Sequence, residues 1–384
     1  MSPAVPVLTA GFGEGHNAAA RAVAAALARR SEAGQAPAPL FRDLFLDAYG
    51  EARFARQRRA YLDLANRAPR LWACVYQALH LVPVEPLAAP FLGPVRASLA
   101  RAVAGAEVVV STYPLYADLL RRHRFPPGAP RPTLVTVVTD SLSVNRAWHR
   151  APSDWYVAPN DATAAVLVRQ GVPADRILAL GFPVDARLAA SASPPGPRPR
   201  VLLMLNPGRR DALALVRAVA AEDVDLTVTV GRDEAVHAAV LRAVGSRASV
   251  IGWTDRLPEL MLAHDLVLTK AGGATTHECI AANLPMVFTQ VIPGQEAGNA
   301  RLVTEAGGGH LGLDPGSAAA AVRRVFANDR AGWRACRRAL ARLGDPLGAE
   351  RVADLVLREL QARRASVAAT RAASAGPIPG VSAS

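Results

Sequence analysis

The chain has 384 residues, of which 51% are apolar and 20% are charged, so it can bury a large core, and a globally disordered protein is excluded. Its 44 basic residues outnumber the 32 acidic ones, giving a net charge of +12, but they are spread along the chain and accompany no nucleic-acid motif. No nucleic-acid partner is therefore expected. Three cysteines without ligand spacing indicate neither a disulfide framework nor a zinc site and fit a reducing cytosol. Neither a signal peptide nor an apolar run of about 20 residues is recognised, so no membrane span is expected.

Apolar strand-like runs alternate with helical segments along the chain, which is typical of parallel sheets covered by helices on both faces. The first half contains five predicted strands, at residues 5–10, 108–112, 134–139, 155–158 and 177–180. The second half contains five more, at residues 201–205, 226–230, 249–251, 266–269 and 286–289. The sequence therefore predicts two α/β domains, each built on a doubly wound parallel sheet.

A proline-rich stretch separates the two halves. Residues 191–200 contain four prolines and a glycine, so they are predicted to link a first domain at 1–190 to a second at 201–345. Residues 346–364 have a helical pattern and are predicted to pack back on the first domain, whereas 365–384 are predicted to be a disordered tail. Two such domains usually hold their ligand in the cleft between them, at the carboxyl ends of the strands.

Glycines and a histidine follow the first predicted strand. Gly11, Gly13 and Gly15 precede a helix with a spacing that differs from the dinucleotide fingerprint GxGxxG. Glycines let a ligand approach backbone N–H groups, and the start of a helix favours anions. His16 is therefore predicted to project into the cleft, and a plain tight turn with a histidine near the helix cap is the alternative.

An aspartate follows the predicted strand at 134–139. Asp140 lies just beyond the carboxyl end of that strand, where cleft residues of α/β sheets collect. It could orient or deprotonate an acceptor hydroxyl, and capping of the next turn is the alternative.

The strand at 266–269 ends in glycines and hydroxyl residues that begin a helix, which is typical of a diphosphate site. Glu278, one turn into that helix, is placed to accept hydrogen bonds from a ribose diol. Lys270 could contact a phosphate or simply be solvated at the strand end. The residues predicted to bind a nucleoside diphosphate and its sugar are Lys270, Gly272, Gly273, Thr275, Thr276, Glu278, Gln295, Glu296 and Asn299.

Five motifs occur in a fixed order along the chain. They are Gly13-x-Gly15-His16, Val138-Thr-Asp140, the segment 172–184, Thr269-Lys-Ala-Gly-Gly273 and Pro293-Gly-Gln-Glu-x-x-Asn299. Because it carries these motifs, the sequence from about Val7 to Leu360 resembles the nucleotide-sugar glycosyltransferases that make glycosyldiacylglycerols. These are monogalactosyldiacylglycerol synthase and the bacterial diacylglycerol glucosyltransferases, with the lipid II-forming N-acetylglucosaminyltransferase as a more distant relative. The resemblance implies a GT-B architecture, in which two Rossmann-like domains face each other across a cleft.

The resemblance also implies an inverting transfer of a hexose from UDP-galactose or UDP-glucose to diacylglycerol, with no cofactor and no metal in the site. The acceptor hydroxyl attacks opposite the leaving UDP, so a base is needed on one side and charge stabilisation on the other. His16 or Asp140 is predicted to be that base, and the helix that begins near Gly273 is predicted to stabilise UDP. Acceptor-side contacts are predicted at Gly13, Gly15, Asn145 and Trp148.

The segment 61–81 is aromatic and apolar and follows a run of arginines. Relatives carry a similar segment that is thought to meet the membrane, so Arg58, Arg59, Trp72 and Tyr76 are predicted to contact lipid and an anionic membrane surface. Burial as an amphipathic core helix is the alternative. The predicted location is the cytoplasm, in peripheral association with the inner face of the cell membrane.

Two positions depart from the family pattern. Asn145 stands where the family commonly has histidine, and the first strand of the second domain ends in Asn206-Pro-Gly208 instead of a glycine-rich loop. Two other functions therefore stay open. One is another UDP-sugar enzyme of this fold, such as an N-acetylglucosaminyltransferase or a 2-epimerase, and the other is a non-catalytic protein that binds sugar nucleotides or nucleic acid.

Overall fold

Two parallel six-stranded sheets form the framework of the computed structural model, which describes residues 4–81, 92–127, 129–206, 208–294 and 296–374. The first sheet has the order β2-β1-β3-β4-β5-β6, with β1 (Val5–Thr9), β2 (Pro39–Asp43), β3 (Val108–Ser111), β4 (Thr133–Val137), β5 (Trp155–Ala158) and β6 (Ile177–Ala179). The second has the order β12-β11-β10-β7-β8-β9, with β7 (Arg200–Met204), β8 (Asp225–Thr229), β9 (Ala248–Ile251), β10 (Leu266–Lys270), β11 (Met286–Gln290) and β12 (Gly309–Leu311). The predicted fold class, two facing Rossmann-like domains of the α/β type, is confirmed.

Helices cover the sheets. The first domain carries α1 (Glu14–Glu32), α2 (Leu44–Arg67), α3 (Pro69–Leu81), α4 (Gly93–Ala102), α5 (Leu115–Arg122) and α6 (Asp161–Arg169). The second carries α7 (Ala212–Ala220), α8 (Glu234–Val244), α9 (Leu257–Ala263), α10 (Gly273–Ala281), α11 (Ala297–Glu305) and α12 (Pro315–Leu340), and α13 (Gly348–Ser374) follows it. Short 3-10 turns lie at Arg146–Trp148, Ala174–Arg176, Ala186–Ala189 and Gly245–Arg247.

All ten predicted strands are present, with ends shifted by at most two residues, and sequence reasoning missed β2 and β12. The central strands are largely apolar because helices cover both faces, as in β1, where all five residues are buried. Both missed strands lie at sheet edges. β2 buries only its last residue, and β12 has three residues, so neither carries a continuous apolar signal.

Helix α13 returns from the second domain to the first. Val352 and Val356 are fully buried in one apolar cluster with Val5 and Val7 of the first sheet, and Arg30 of α1 pairs with Asp354 at 2.7 Å. The helix runs to Ser374, so the predicted disorder of residues 365–374 is wrong. These residues are rich in alanine, which favours helix, and contain neither glycine nor proline. Residues 375–384 lie outside the described part of the chain.

The two domains touch next to the carboxyl end of β4. Gly298 of α11 packs so closely there that a Cβ would lie 1.8 Å from the carbonyl oxygen of Ser141. The hydroxyl of Ser141 also bonds to His277 of α10 at 2.7 Å. Residues 191–199, within the predicted linker, form neither helix nor strand. In the described ranges, no helix combines the length and apolarity needed to cross a bilayer.

Candidate active site

A cavity of about 450 Å³ lies between the two domains, where loops at the carboxyl ends of both sheets meet. This is where doubly wound sheets place their ligands. Most of the predicted site residues line it, namely Gly13, Gly15, His16, Trp72, Tyr76, Asp140, Asn145, Trp148, Lys270, Gly272, Gly273, Thr275, Glu296 and Asn299. These residues come from distant parts of the sequence, and the two sheets bring them together.

His16 enters the cavity from the first turn of α1. Its Nδ1 lies 2.9 Å from the hydroxyl oxygen of Thr139, and its ring meets Tyr113 edge-on with the centroids 5.2 Å apart. Burial lowers the pKa of His16 to about 4, so the ring is neutral near pH 7. When Nδ1 donates to Thr139, Nε2 carries the free lone pair and can accept a proton.

Asp140 follows β4 and is held by two donors on one oxygen. The indole Nε1 of Trp148 donates to Oδ2 at 2.7 Å, and the hydroxyl of Tyr76 lies 3.3 Å from the same atom. Burial raises the pKa of Asp140 to about 6, and the two hydrogen bonds oppose that rise. Near pH 7 the side chain is a carboxylate whose proton affinity is higher than that of an ordinary aspartate.

Asn145 and Trp148 arrange the loop that follows Asp140. Asn145 caps the 3-10 turn by accepting the N–H of Ala147 at 3.0 Å, and its Nδ2 donates to the backbone oxygen of Tyr76 at 3.1 Å. Trp148 is 1% exposed. At this position, where the family commonly has histidine, the asparagine therefore organises the loop and helix α3.

The second domain contributes one end of β10 and the start of α10. Lys270 ends β10, and its Nζ lies 2.7 Å from Oε1 of Glu296, whose Oε2 accepts the N–H of Ile292 at 3.0 Å. Gly272 is the N-cap of α10, and a Cβ on Gly273 would lie 2.9 Å from the backbone oxygen of Thr139. The helix start, which favours negative charge, therefore lies beside the Asp140 strand.

Two of the described residues that are predicted to bind the ligand, Thr276 and Glu278, are not among those that line the cavity. Thr276 is fully buried inside the second domain. Glu278 faces α1, and burial raises its pKa to about 7, with Asp185 nearby also raising it and Arg21 lowering it. Gln295 lies outside the described residues.

Trp72 and Tyr76, which are predicted to contact lipid and the membrane, line the cavity in this arrangement. Trp72 is 8% exposed and packs with Ile292 of the second domain, while Tyr76 reaches Asp140. Arg58 turns toward the cleft and pairs with Glu14 at 2.6 Å. An amphipathic helix can lay its apolar face on a membrane or on protein, and here it covers the cavity. Arg59 is exposed, as contact with a membrane surface would require.

The predicted site residues do not include an aromatic wall on the first-domain side of the cavity. It consists of Phe12, Tyr61 and Tyr113 together with Leu62 and Leu115. Phe12 stacks edge-on with Tyr61 at 5.9 Å between ring centroids. A signal was available for Phe12 and Tyr113, since each stands within a few residues of the carboxyl end of a predicted strand.

Comparison with known proteins agrees with this architecture. Residues 16–184 match the family of monogalactosyldiacylglycerol (MGDG) synthase. A probable chloroplastic monogalactosyldiacylglycerol synthase 2 of Oryza sativa subsp. japonica is 26% identical over 355 residues, which cover 84% of this chain and 73% of the rice protein. A processive diacylglycerol beta-glucosyltransferase of Bacillus mycoides is 25% identical over 209 residues, which span 50% of this chain and about half, 53%, of that relative.

Solved structures share the fold at low sequence identity. Anabaena HepE, in complex with UDP and glucose, has a TM-score of 0.53 and 14% identity and covers 92% of this chain and 99% of its own. Staphylococcus aureus MnaA with UDP has a TM-score of 0.59 and 13% identity over 93% and 97% of the two chains. MurG of Acinetobacter baumannii has a TM-score of 0.53 and 13% identity over 93% and 100%. The sequence and fold comparisons together indicate a glycosyltransferase of the GT-B type, related to monogalactosyldiacylglycerol synthase and the diacylglycerol glucosyltransferases.

Proposed function

We propose that this protein transfers a hexose from UDP-galactose or UDP-glucose to diacylglycerol and inverts the anomeric carbon. The observation that carries the proposal is the cavity between the domains, in which Asp140 and His16 of the first domain face the start of α10 in the second. The relatives named for acting on diacylglycerol support the acceptor. The HepE complex with UDP and glucose supports the donor.

In the proposed reaction the acceptor hydroxyl attacks the anomeric carbon from the side of Asp140. The new bond between oxygen and carbon forms as the bond to the β-phosphate oxygen breaks, the hydroxyl proton passes to the carboxylate, and UDP leaves with the bonding electrons. Asp140 fits the role of base better than His16, because a pKa of about 6 is closer to neutral pH than a pKa of about 4.

The negative charge that develops on UDP would be stabilised by the first turn of α10 and by Lys270. Lys270 is paired with Glu296, so diphosphate oxygens would share its Nζ with that carboxylate. This arrangement supplies positive charge from the protein itself, and we propose that transfer needs no divalent metal. Turnover that is unchanged by EDTA is the expected result.

The aromatic wall of Phe12, Tyr61 and Tyr113 suits the apolar part of a lipid acceptor, with its hydroxyl toward Asp140. Outside the cavity, helix α2 carries the exposed arginines Arg53, Arg56 and Arg59. Such residues attract anionic headgroups, so we propose peripheral association with the inner face of the cell membrane.

The proposal is tested by incubating the protein with liposomal diacylglycerol and each of radiolabelled UDP-galactose, UDP-glucose and UDP-N-acetylglucosamine, followed by lipid extraction. Labelled glycosyldiacylglycerol is expected with one of the two hexose donors. Asp140→Asn should lower kcat by roughly 10²-fold to 10⁴-fold, the contribution of a positioned base. Asp161→Asn, a change of an exposed carboxylate in α6, is the matched control and should keep the wild-type rate.

Three results would contradict the proposal. Label that enters only a polyprenyl or water-soluble acceptor would assign a different transferase activity, and epimerised UDP-N-acetylglucosamine without transfer would assign an epimerase. Absence of labelled lipid with every donor would exclude diacylglycerol as the acceptor.

A further inference from the structure

Helix α3 contacts both domains at the cavity, and Tyr76 is where the contacts converge. The hydroxyl of Tyr76 lies 3.3 Å from Oδ2 of Asp140 and 3.2 Å from the backbone oxygen of Ser143. The backbone oxygen of Tyr76 accepts a bond from Nδ2 of Asn145 at 3.1 Å. On the other side, the Tyr76 ring lies so close to Gly294 of the second domain that a Cβ there would be 3.1 Å from Cδ1.

We propose that Tyr76 is a positioning residue for Asp140, which fixes the orientation of the carboxylate when Gly294 of the second domain supports its ring. This inference rests on the proposed function, in which Asp140 is the base. The inference goes beyond the proposed function because it assigns a role in the site to α3, a helix whose sequence pattern indicated a membrane contact.

The hydrogen-bond geometry explains how Tyr76 would act. Both donors to Asp140 within the described residues, Trp148 and Tyr76, bond to Oδ2, and this leaves Oδ1 for an acceptor hydroxyl. With only one donor the carboxylate could rotate and exchange its oxygens, and a poorly oriented base loses rate. Tyr76 can serve as a donor at every pH of interest, because burial raises its pKa and the charge of Asp140 raises it further.

The hydroxyl of Tyr76 also favours the charged form of Asp140, since a donor lowers the pKa of a carboxylate. Burial acts in the opposite direction and is the larger effect. The other titratable groups that face the cavity are Glu14, His16, Tyr61, Tyr113, Lys270 and Glu296. They are the same in a variant that lacks only the hydroxyl, so Tyr76→Phe isolates the effect of that donor.

The experiment compares pH titrations of tryptophan fluorescence in the wild type, Tyr76→Phe and Asp140→Asn. The indole of Trp148 bonds directly to Asp140, so the fluorescence component that is absent from Asp140→Asn reports the ionisation of Asp140. In Tyr76→Phe the midpoint of that component should move upward by about half to one pH unit. The acidic limb of kcat/KM should move by the same amount, while the KM for the UDP-sugar stays unchanged.

Tyr116→Phe is the matched control, because it also removes a buried tyrosine hydroxyl, one that donates to the backbone oxygen of Thr9 at 2.7 Å. It should leave the midpoint in place. A Tyr76→Phe midpoint equal to that of the wild type would overturn the proposal, even if kcat fell, because a merely structural role alters rate without moving the titration. The fluorescence readout needs no turnover, so a shifted midpoint in a protein that makes no glycolipid would refute the proposed function and support the role of Tyr76.

Discussion

His16 and Asp140 face the same cavity, and burial moves their pKa values in opposite directions. The value for His16 falls to about 4, and that for Asp140 rises to about 6. Burial disfavours the charged form of each group, so the histidine stays neutral and the carboxylate holds its proton more tightly. Two neighbouring titratable groups whose environments shift their pKa values apart commonly serve as the acid and the base of an enzymatic reaction.

The raised pKa of Asp140 predicts that Asp140→Asn stabilises the protein above pH 6. The folded-state value of about 6 exceeds the ordinary 3.8, so the folded state binds more protons in this interval and loses stability as pH rises through it. Replacement by neutral asparagine removes this loss. The gain at pH 7.5 should be on the order of 2 kcal/mol, because partial exposure of the carboxylate screens part of the effect.

Thermal unfolding at pH 7.5 and pH 4 measures this difference. At pH 4 the folded-state carboxyl is already protonated, and the wild type and Asp140→Asn should unfold at nearly the same temperature. Asp161→Asn is the control, because it makes the same substitution at an exposed position. A lower melting temperature for Asp140→Asn at pH 7.5 would contradict the assignment of a carboxylate destabilised by burial.

Helix α11 and the loop after Asp140 meet without room for a side chain. A Cβ on Gly298 would lie 1.8 Å from the oxygen of Ser141 and 2.5 Å from the backbone nitrogen of Ser143. Both neighbours are backbone atoms, so only a displacement of the loop from the helix can relieve the clash.

Gly298→Ala is therefore expected to lower kcat by about 10²-fold, because a displacement of roughly 1 Å moves the base away from the donor site. Initial rates with UDP-sugar and liposomal acceptor, together with circular dichroism, check this outcome. Gly93→Ala is the control, since a Cβ there meets nothing within 4 Å. A wild-type kcat in Gly298→Ala would show that the two domains do not approach this closely during turnover.

At the scale of the whole molecule, the arginines that contribute to the net charge of +12 have different surroundings. Some pair with carboxylates, and others face solvent. Arg30 joins α1 to α13, and Arg200 pairs with buried Asp265 at 3.0 Å, so these charges stabilise the fold. On α2, by contrast, Arg53, Arg56 and Arg59 face solvent. The second group is available to an anionic surface.

Cosedimentation with vesicles of anionic lipid tests this surface. Replacement of Arg53, Arg56 and Arg59 by glutamine should weaken binding to the vesicles by roughly 10²-fold, since each arginine near such a surface contributes about 1 kcal/mol. Added salt should weaken the binding of the wild-type protein, because it screens the same charges. Glutamines at the exposed Arg242, Arg338 and Arg342 of the second domain change the net charge equally and should have a smaller effect. Equal binding by both triple variants would contradict a specific role for α2.

The fold and much of the cavity could be predicted from the sequence because the signals are local. A strand covered on both faces is largely apolar, and the residues at its carboxyl end enter the cleft, as Asp140 and Lys270 do. The edge strands β2 and β12 and the helical end of α13 could not be predicted in this way. Their segments are half-covered, short or rich in alanine, so no periodic apolar signal marks them.

The sequence by itself determined the two parallel sheets, the loops that carry chemistry and the relationship to glycolipid-forming transferases. Only the tertiary structure decided that Tyr76 bonds to Asp140, 64 residues later in the chain, and that Trp72 packs on Ile292 of the other domain. An amphipathic pattern shows that one face of a helix is apolar, but membrane and protein satisfy that face equally well. The choice depends on which surfaces the rest of the chain places opposite the helix.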